Sequence, residues 1–140
     1  MINPTPRKFR KVNKQLIRTT YENKSNKICF GMYAIQAVER GFLNVRQIEA
    51  VRRTITGKLK RKGKVWIRAF PDYPRTAKPK EVRMGRGKGN VDSWVCMVKP
   101  GRILFEVVSK DVATVKEALS FALRKFPMEV QLISKTLNLK

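Results

Sequence analysis

Twenty residues in the middle of the chain, 71–90, hold three prolines and three glycines, so no helix or central strand can run through them unbroken. The ordered parts must be assembled from the two flanks. Upstream, 28–38 is rich in β-formers and reads as one or two short strands that Gly41 breaks off. Asn44, with Gln47 three residues later, is a capping-box signal for a helix over about 45–61, in which Ile48, Val51, Ile55 and Leu59 form one apolar stripe. At 100° per residue, Arg46, Arg53 and Lys60 fall on the opposite side. Residues 64–70 alternate as a strand that Pro71 ends. Downstream, 91–98 and 102–108 read as two strands joined into a hairpin by Lys99-Pro100-Gly101. Asp111 then caps a second helix to about Phe126, with Val115, Ala118, Leu119 and Ala122 inward, and 130–133 closes as a strand. The order β, α, β, loop, ββ, α, β predicts an α+β fold, a mixed sheet with two helices on one side. Residues 27–136 would be the single domain, with a basic arm over 1–26, a long functional loop at 71–90 and a C-terminal extension over 137–140.

Charge says what such a frame is for. Lysine and arginine number 32 against 10 acids, a net charge of +22, which repels itself unless a polyanion takes it up. The cations come in three deposits. The arm carries Arg7, Lys8, Arg10, Lys11, Lys14, Arg18 and Lys24 against Glu22 alone, and with few apolar positions it is expected to order on a partner. The helix face is the second. The third is the long loop, with Arg75, Lys78, Lys80, Arg83, Arg86 and Lys88. Within it, 83–90 alternates glycine with Arg or Lys, which lets backbone approach a phosphate at positive φ while the cations supply charge.

Other chemistries are poorly provided for. A P-loop fails because Val82 stands where its first glycine belongs and Gly89 follows Lys88, and Asn90 spoils a GxGxxG. With no histidine, imidazole catalysis and His-ligated zinc are excluded. Cys29 and Cys96 lack CxxC partners and read as buried strand residues. The ten acids form no close cluster of the sort that holds catalytic cations, so a basic metal-dependent RNA-processing enzyme is the alternative function, not the first. No apolar run reaches the roughly 18 residues of a membrane span, and no metal or cofactor site is expected. Trp66, Phe70, Trp94, Phe105 and Phe121 are expected in the core, whereas Phe9, Tyr21 and Tyr73 are placed to stack on bases or ribose.

Four segments in order, 46–50 (RQIEA), 60–71 (KRKGKVWIRAFP), 83–90 (RMGRGKGN) and 99–106 (KPGRILFE), closely resemble the bacterial-type large-subunit ribosomal protein sixteen family. The resemblance covers about 8–133. It implies a structural, non-enzymatic protein of the large ribosomal subunit, embedded in ribosomal RNA near the central protuberance and beside the aminoacyl-tRNA site. It implies that Arg7, Lys8, Arg10, Lys11, Lys14, Arg46, Arg53, Lys60 and Lys62 bind ribosomal RNA. The loop from Lys80 through Arg83, Met84, Gly85, Arg86, Gly87, Lys88 and Gly89 would lie near acceptor-site tRNA. Partners would be ribosomal RNA, that tRNA and neighbouring ribosomal proteins, with no membrane and no homo-oligomer, and any Mg2+ would belong to the RNA. The chain departs from the pattern at Ala69, in 107–111, which lacks a glycine turn, and at the 137–140 extension. Its Asn, Lys and Ile bias fits an AT-rich genome, and residues 1–10 carry no apolar signal segment. Arg86 and Asn90 look mitochondrial and 28–31 plastid-like, so an organelle-encoded, mitochondrial origin is expected, with the bacterial cytoplasm as the alternative.

Overall fold

Backbone pairing, more than local pattern, decides how these segments assemble in the computed structural model, which describes residues 4–5, 8–13 and 20–135. The elements are β1 (Tyr33–Ala37), β2 (Gly41–Asn44), α1 (Val45–Lys58), β3 (Lys64–Ile67), β4 (Tyr73–Ala77), β5 (Asn90–Val98), β6 (Ile103–Val108), α2 (Val112–Leu123) and β7 (Val130–Ser134). They form two sheets, β3-β6-β1-β7 and β2-β5-β4, in which every pair is antiparallel. The α+β class therefore holds, but two antiparallel sheets replace the single mixed one. Gly41 does not end strand structure; it opens β2, where a Cβ would fall 2.6 Å from the Met128 methyl.

The expected hairpin of 91–98 with 102–108 does not form. Each of those strands already has a neighbour on both sides, β2 and β4 for β5, β3 and β1 for β6, so no free edge remains for them to share. Lys99-Pro100-Gly101 instead passes the chain from one sheet to the other. Gly101, at φ 83°, donates its amide to the Ala37 carbonyl at 2.7 Å, and Ala37 donates to Arg102. The 71–90 segment is likewise not wholly irregular. Residues 73–77 pair with β5, and Pro74 is tolerated because β4 lies at the sheet edge, so the true loop is 78–89.

Both helices bury the stripes their spacing predicts. Ile48, Val51, Ile55 and Leu59 of the α1 segment, and Val115, Ala118, Leu119 and Ala122 of α2, join Ile35, Leu43, Cys96, Val98, Phe105 and Val107 in one core. Each larger aliphatic contributes about 1.5–3 kcal/mol by leaving water. Gln47 accepts the Asn44 amide at 2.9 Å and the Asp111 carboxylate accepts from Ala113 and Thr114, so both helix starts are capped as expected. The Asp111 cap shows that α2 begins cleanly without a glycine turn in 107–111. Its hydrogen bonds, first from the Thr114 side chain, hold the Asp111 carboxyl below the usual range. Of the five aromatics expected in the core only Phe105 is there: Trp66 and Trp94 are half-buried and outside the core cluster, Trp66 stacking on exposed Phe30. Phe70 and Phe121 are exposed, the latter between Lys58 and Arg124, while Phe105 is fully buried. Cys96 is buried, which pushes its thiol up, but Cys29 is exposed and outside any strand.

Residues 20–32 are bound to the body. Glu22 donates to Pro100, Ile103 donates to Ser25, and Tyr21 lies over Gly101. Their anchor is Glu106, fully buried on the face of β6 opposite Phe105. Its carboxylate accepts the amides of Cys29, Phe30 and Gly31, the last two at 2.6 and 2.8 Å, and pairs with the Arg68 guanidinium at 2.6 Å. Burial alone would raise this carboxyl, but the amides of Gly31 and Phe30, then Arg68, outweigh it and hold the group below the ordinary range.

Candidate nucleic-acid interface

The arm and the glycine loop, more than sixty residues apart in sequence, meet in the fold. Lys11 donates from Nζ to the Lys88 carbonyl at 3.0 Å, and Lys88 donates from Nζ back to the Val12 carbonyl. The Tyr73 hydroxyl donates to the Asn13 carbonyl at 2.9 Å, pinning the same stretch to β4. Lys8, Arg10 and Lys11 are exposed on this surface; Arg7 and Lys14 lie outside the described residues. So the described part of the arm, through residues 11–13, meets the glycine loop and β4, a meeting of two cation deposits that the sequence kept separate.

The loop itself stands in solvent. Lys80, Arg83, Met84, Gly85, Arg86, Gly87 and Lys88 are all exposed, Met84 at 93%. Gly85, Arg86 and Gly87 have φ of 104°, 53° and 84°, the left-handed region that glycine enters freely and arginine only at a cost. Nothing lies within 4 Å of a Cβ placed on Gly85 or Gly87, so these glycines serve backbone shape and leave open room beside them. Gly89 differs: its Cβ would come within 2.2 Å of the Ala77 carbonyl oxygen, which closes the loop's neck. Lys78 donates to the Gly85 carbonyl at 2.7 Å and braces the tip.

The third deposit is rearranged. Helix α1 ends at Lys58, so Lys60 does not share a helix face with Arg46 and Arg53. Beyond Leu59 the chain makes a Schellman turn, with Lys60 donating to the Gly57 carbonyl and Arg61 to that of Thr56, both at 3.1 Å. Lys60 and Arg61 take φ of 47° and 62° where glycine is the usual residue. With Arg52, Arg53, Thr56 and Gly57 they line a groove of about 700 Å3. Glu49 orients two of these cations, reaching Arg52 at 2.7 Å and Arg53 at 3.0 Å, and these hydrogen bonds, Arg52 first, lower its carboxyl to about 2. Arg52 and Arg61 were missed as site residues. The i,i+3 spacing of Glu49 and Arg52 was a legible signal for the first, but the turn that aims Arg61 was not. Arg46 is exposed, and Lys62 lines a small cleft with Ser109 and Asp111 that adjoins the groove through Lys60. Lys60→Gly should raise stability by about 0.5–1 kcal/mol, the left-handed penalty less glycine's entropy cost, while removing one cation; an unchanged or lowered melting temperature would contradict the strain.

Among the described residues, no group of three or more His, Cys, Asp or Glu could hold a metal ion, and no helix is long and apolar enough to cross a membrane. Glu49, Glu106 and Asp111 are each engaged in structural contacts. Fold and site together define a small, strongly basic α+β protein that presents cations on strained turns and ties Glu49, Glu106 and Asp111 into structural contacts. The family model described as ribosomal protein L16p/L10e matches residues 4–133, and the chain belongs to that family. It is 49% identical to the large ribosomal subunit protein uL16 of Acinetobacter baumannii (strain ATCC 17978), over 97% of this chain and 98% of the relative. The proteins of the same name from Thioalkalivibrio sulfidiphilus and Psychrobacter cryohalolentis are 48% and 45% identical, again over nearly the whole of both chains. A member of this family is a structural ribosomal protein, not an enzyme, and the RNA-processing alternative is without support. These relatives are bacterial, which fits the bacterial-cytoplasm alternative; the mitochondrial preference finds no support in them.

Proposed function

We propose that this chain is a constituent of the large ribosomal subunit that binds large-subunit ribosomal RNA through the arm and the groove after α1, and borders the acceptor-site tRNA with its glycine loop. The observation that supports this best is the reciprocal pair of bonds between Lys11 and the Lys88 carbonyl and between Lys88 and the Val12 carbonyl, which merges arm and loop into one cationic face. One face of that kind can grip a folded RNA while its open tip reaches a second strand. The groove contributes by geometry. Arg52, Arg53, Lys60 and Arg61 converge at a helix C-terminus, whose dipole favours cations and so reduces their mutual repulsion. The role needs no cofactor held by the protein, and Mg2+ at the interface would be the RNA's own.

Contact is then chiefly electrostatic and made through displaced counterions. If about six cations meet phosphates, the affinity of the purified chain for its ribosomal RNA fragment should fall with a log–log salt slope on the order of −4 to −5. Filter binding at several salt concentrations measures it, and a slope near zero would sink the reading.

A further inference from the structure

The outer face of the second sheet carries a slot that charge alone does not explain. Tyr73 of β4 pairs with Val95 of the central strand and Phe42 of β2, 43% exposed, with Met97 two residues on; their ring centroids are 6.4 Å apart, their planes inclined by 33°, and both rings line one cleft with Val95. Val12 of the arm and the cationic side chains of Arg75 and Lys88 complete a cleft of about 520 Å3. That volume lies in the range of small-ligand sites and accommodates a nucleotide.

We infer that this cleft takes one unpaired nucleotide of an RNA partner, its base against Phe42 and Tyr73 and its phosphate at Arg75 and Lys88; the inference rests on the RNA-binding reading above. The chemistry argues for that occupant over others. An apolar side chain from a neighbouring protein would fill the aromatic walls but leave two cations facing it. An acidic peptide would answer the cations but has no flat ring for the walls. A nucleotide supplies both, a planar π-face and an anion one sugar away, and aromatic stacking is how unpaired bases are held without a duplex. The site is held ready in the free protein, because the Lys88 ammonium is fixed at the rim by the Val12 carbonyl and the Tyr73 ring by its bond to Asn13.

The test uses the full chain and two RNAs of similar length, a hairpin with 2-aminopurine at an unpaired position and a fully paired duplex. Binding of the hairpin should quench the 2-aminopurine fluorescence. Phe42→Leu, which keeps an apolar side chain at a half-open site, should weaken hairpin binding about tenfold, abolish most of the quench and leave duplex binding within about twofold, with the salt slope unchanged. Tyr73→Leu should act likewise, whereas Tyr73→Phe keeps the ring and should retain the quench. Arg75→Ala should lower the salt slope by about one. Thermal melts of each variant check that the fold is kept. Hairpin binding and quench unaffected by Phe42→Leu, or equal losses on hairpin and duplex, would overturn the stacking site alone. Salt-independent or absent binding of both RNAs by the wild-type chain would overturn the RNA reading itself. Normal RNA binding by Phe42→Leu together with its loss from assembled subunits would reassign the cleft to a protein partner.

Discussion

Glu106→Ala should destabilise the folded protein by about 3–5 kcal/mol, the cost of removing one partner from a buried ion pair. At this chain length that is roughly 10 °C or more in melting temperature. The reason lies in what the carboxylate serves. Glu106 is wholly buried and Arg68 is 16% exposed, and without the carboxylate three backbone amides at 29–31 lose their acceptor while the guanidinium, still donating to the Lys27 carbonyl, loses its counter-charge. The loss also frees the segment that links the arm to the body. Glu106→Gln keeps one acceptor oxygen and the side-chain volume, and should cost less, about 1–3 kcal/mol. Acid provides an independent check. Because the folded-state carboxyl is held below its ordinary value, its contribution is complete above the unfolded value near 4.3 and is lost as pH falls through the folded one. Stability of the wild type should therefore drop on acidification below about pH 4, and that part of the drop should be missing in Glu106→Gln. Parallel pH profiles for the two proteins would show that Glu106 is not the linked group. Glu49, held at about 2 by Arg52 and then Arg53, titrates in the same direction, but it is exposed enough for solvent to screen most of its effect.

Arg83→Ala with Arg86→Ala should leave the fold untouched and weaken acceptor-site tRNA binding by ribosomes that carry it, by roughly 10- to 100-fold for the loss of one charge-assisted bond and more if both guanidinium groups make one. Both side chains are exposed, so their removal should shift stability by less than about 0.5 kcal/mol. Backbone strain at position 86 is not altered, because alanine at φ 53° meets the same Cβ hindrance as arginine. Subunit incorporation, read from sucrose gradients, should be normal, and the defect should appear only in tRNA binding. Ribosomes with the double substitution and undiminished acceptor-site binding would refute the assignment of the loop.

The candidate site was legible in parts. Alternating glycine and cation at 83–90 identified the loop from residue types alone, and the structure adds that Gly85 and Gly87 act through φ whereas Gly89 acts through close packing. The helix cations were only half legible. A wheel drawn to residue 61 puts Lys60 in line with Arg46 and Arg53, but the Schellman turn stops the helix at Lys58 and groups Lys60 and Arg61 with Arg52 and Arg53. Glycine is the residue that announces such a turn, and its place is taken here by lysine. Tyr73 was legible as a stacking candidate but not as a half-buried residue of strand β4, and Phe42 lies in a strand that begins at Gly41, where the sequence reading ends one.

By itself the sequence determined the α+β class, both helices and their buried stripes, the exclusion of histidine chemistry and the need for a polyanion, because period, caps and charge are local properties of the chain. Only the tertiary structure decided which strands pair, why 91–98 and 102–108 part into two sheets, how Glu106 becomes a buried anchor and where arm and loop join. Those are contests among distant partners for a limited number of backbone edges and buried acceptors, and no window of sequence contains both contestants.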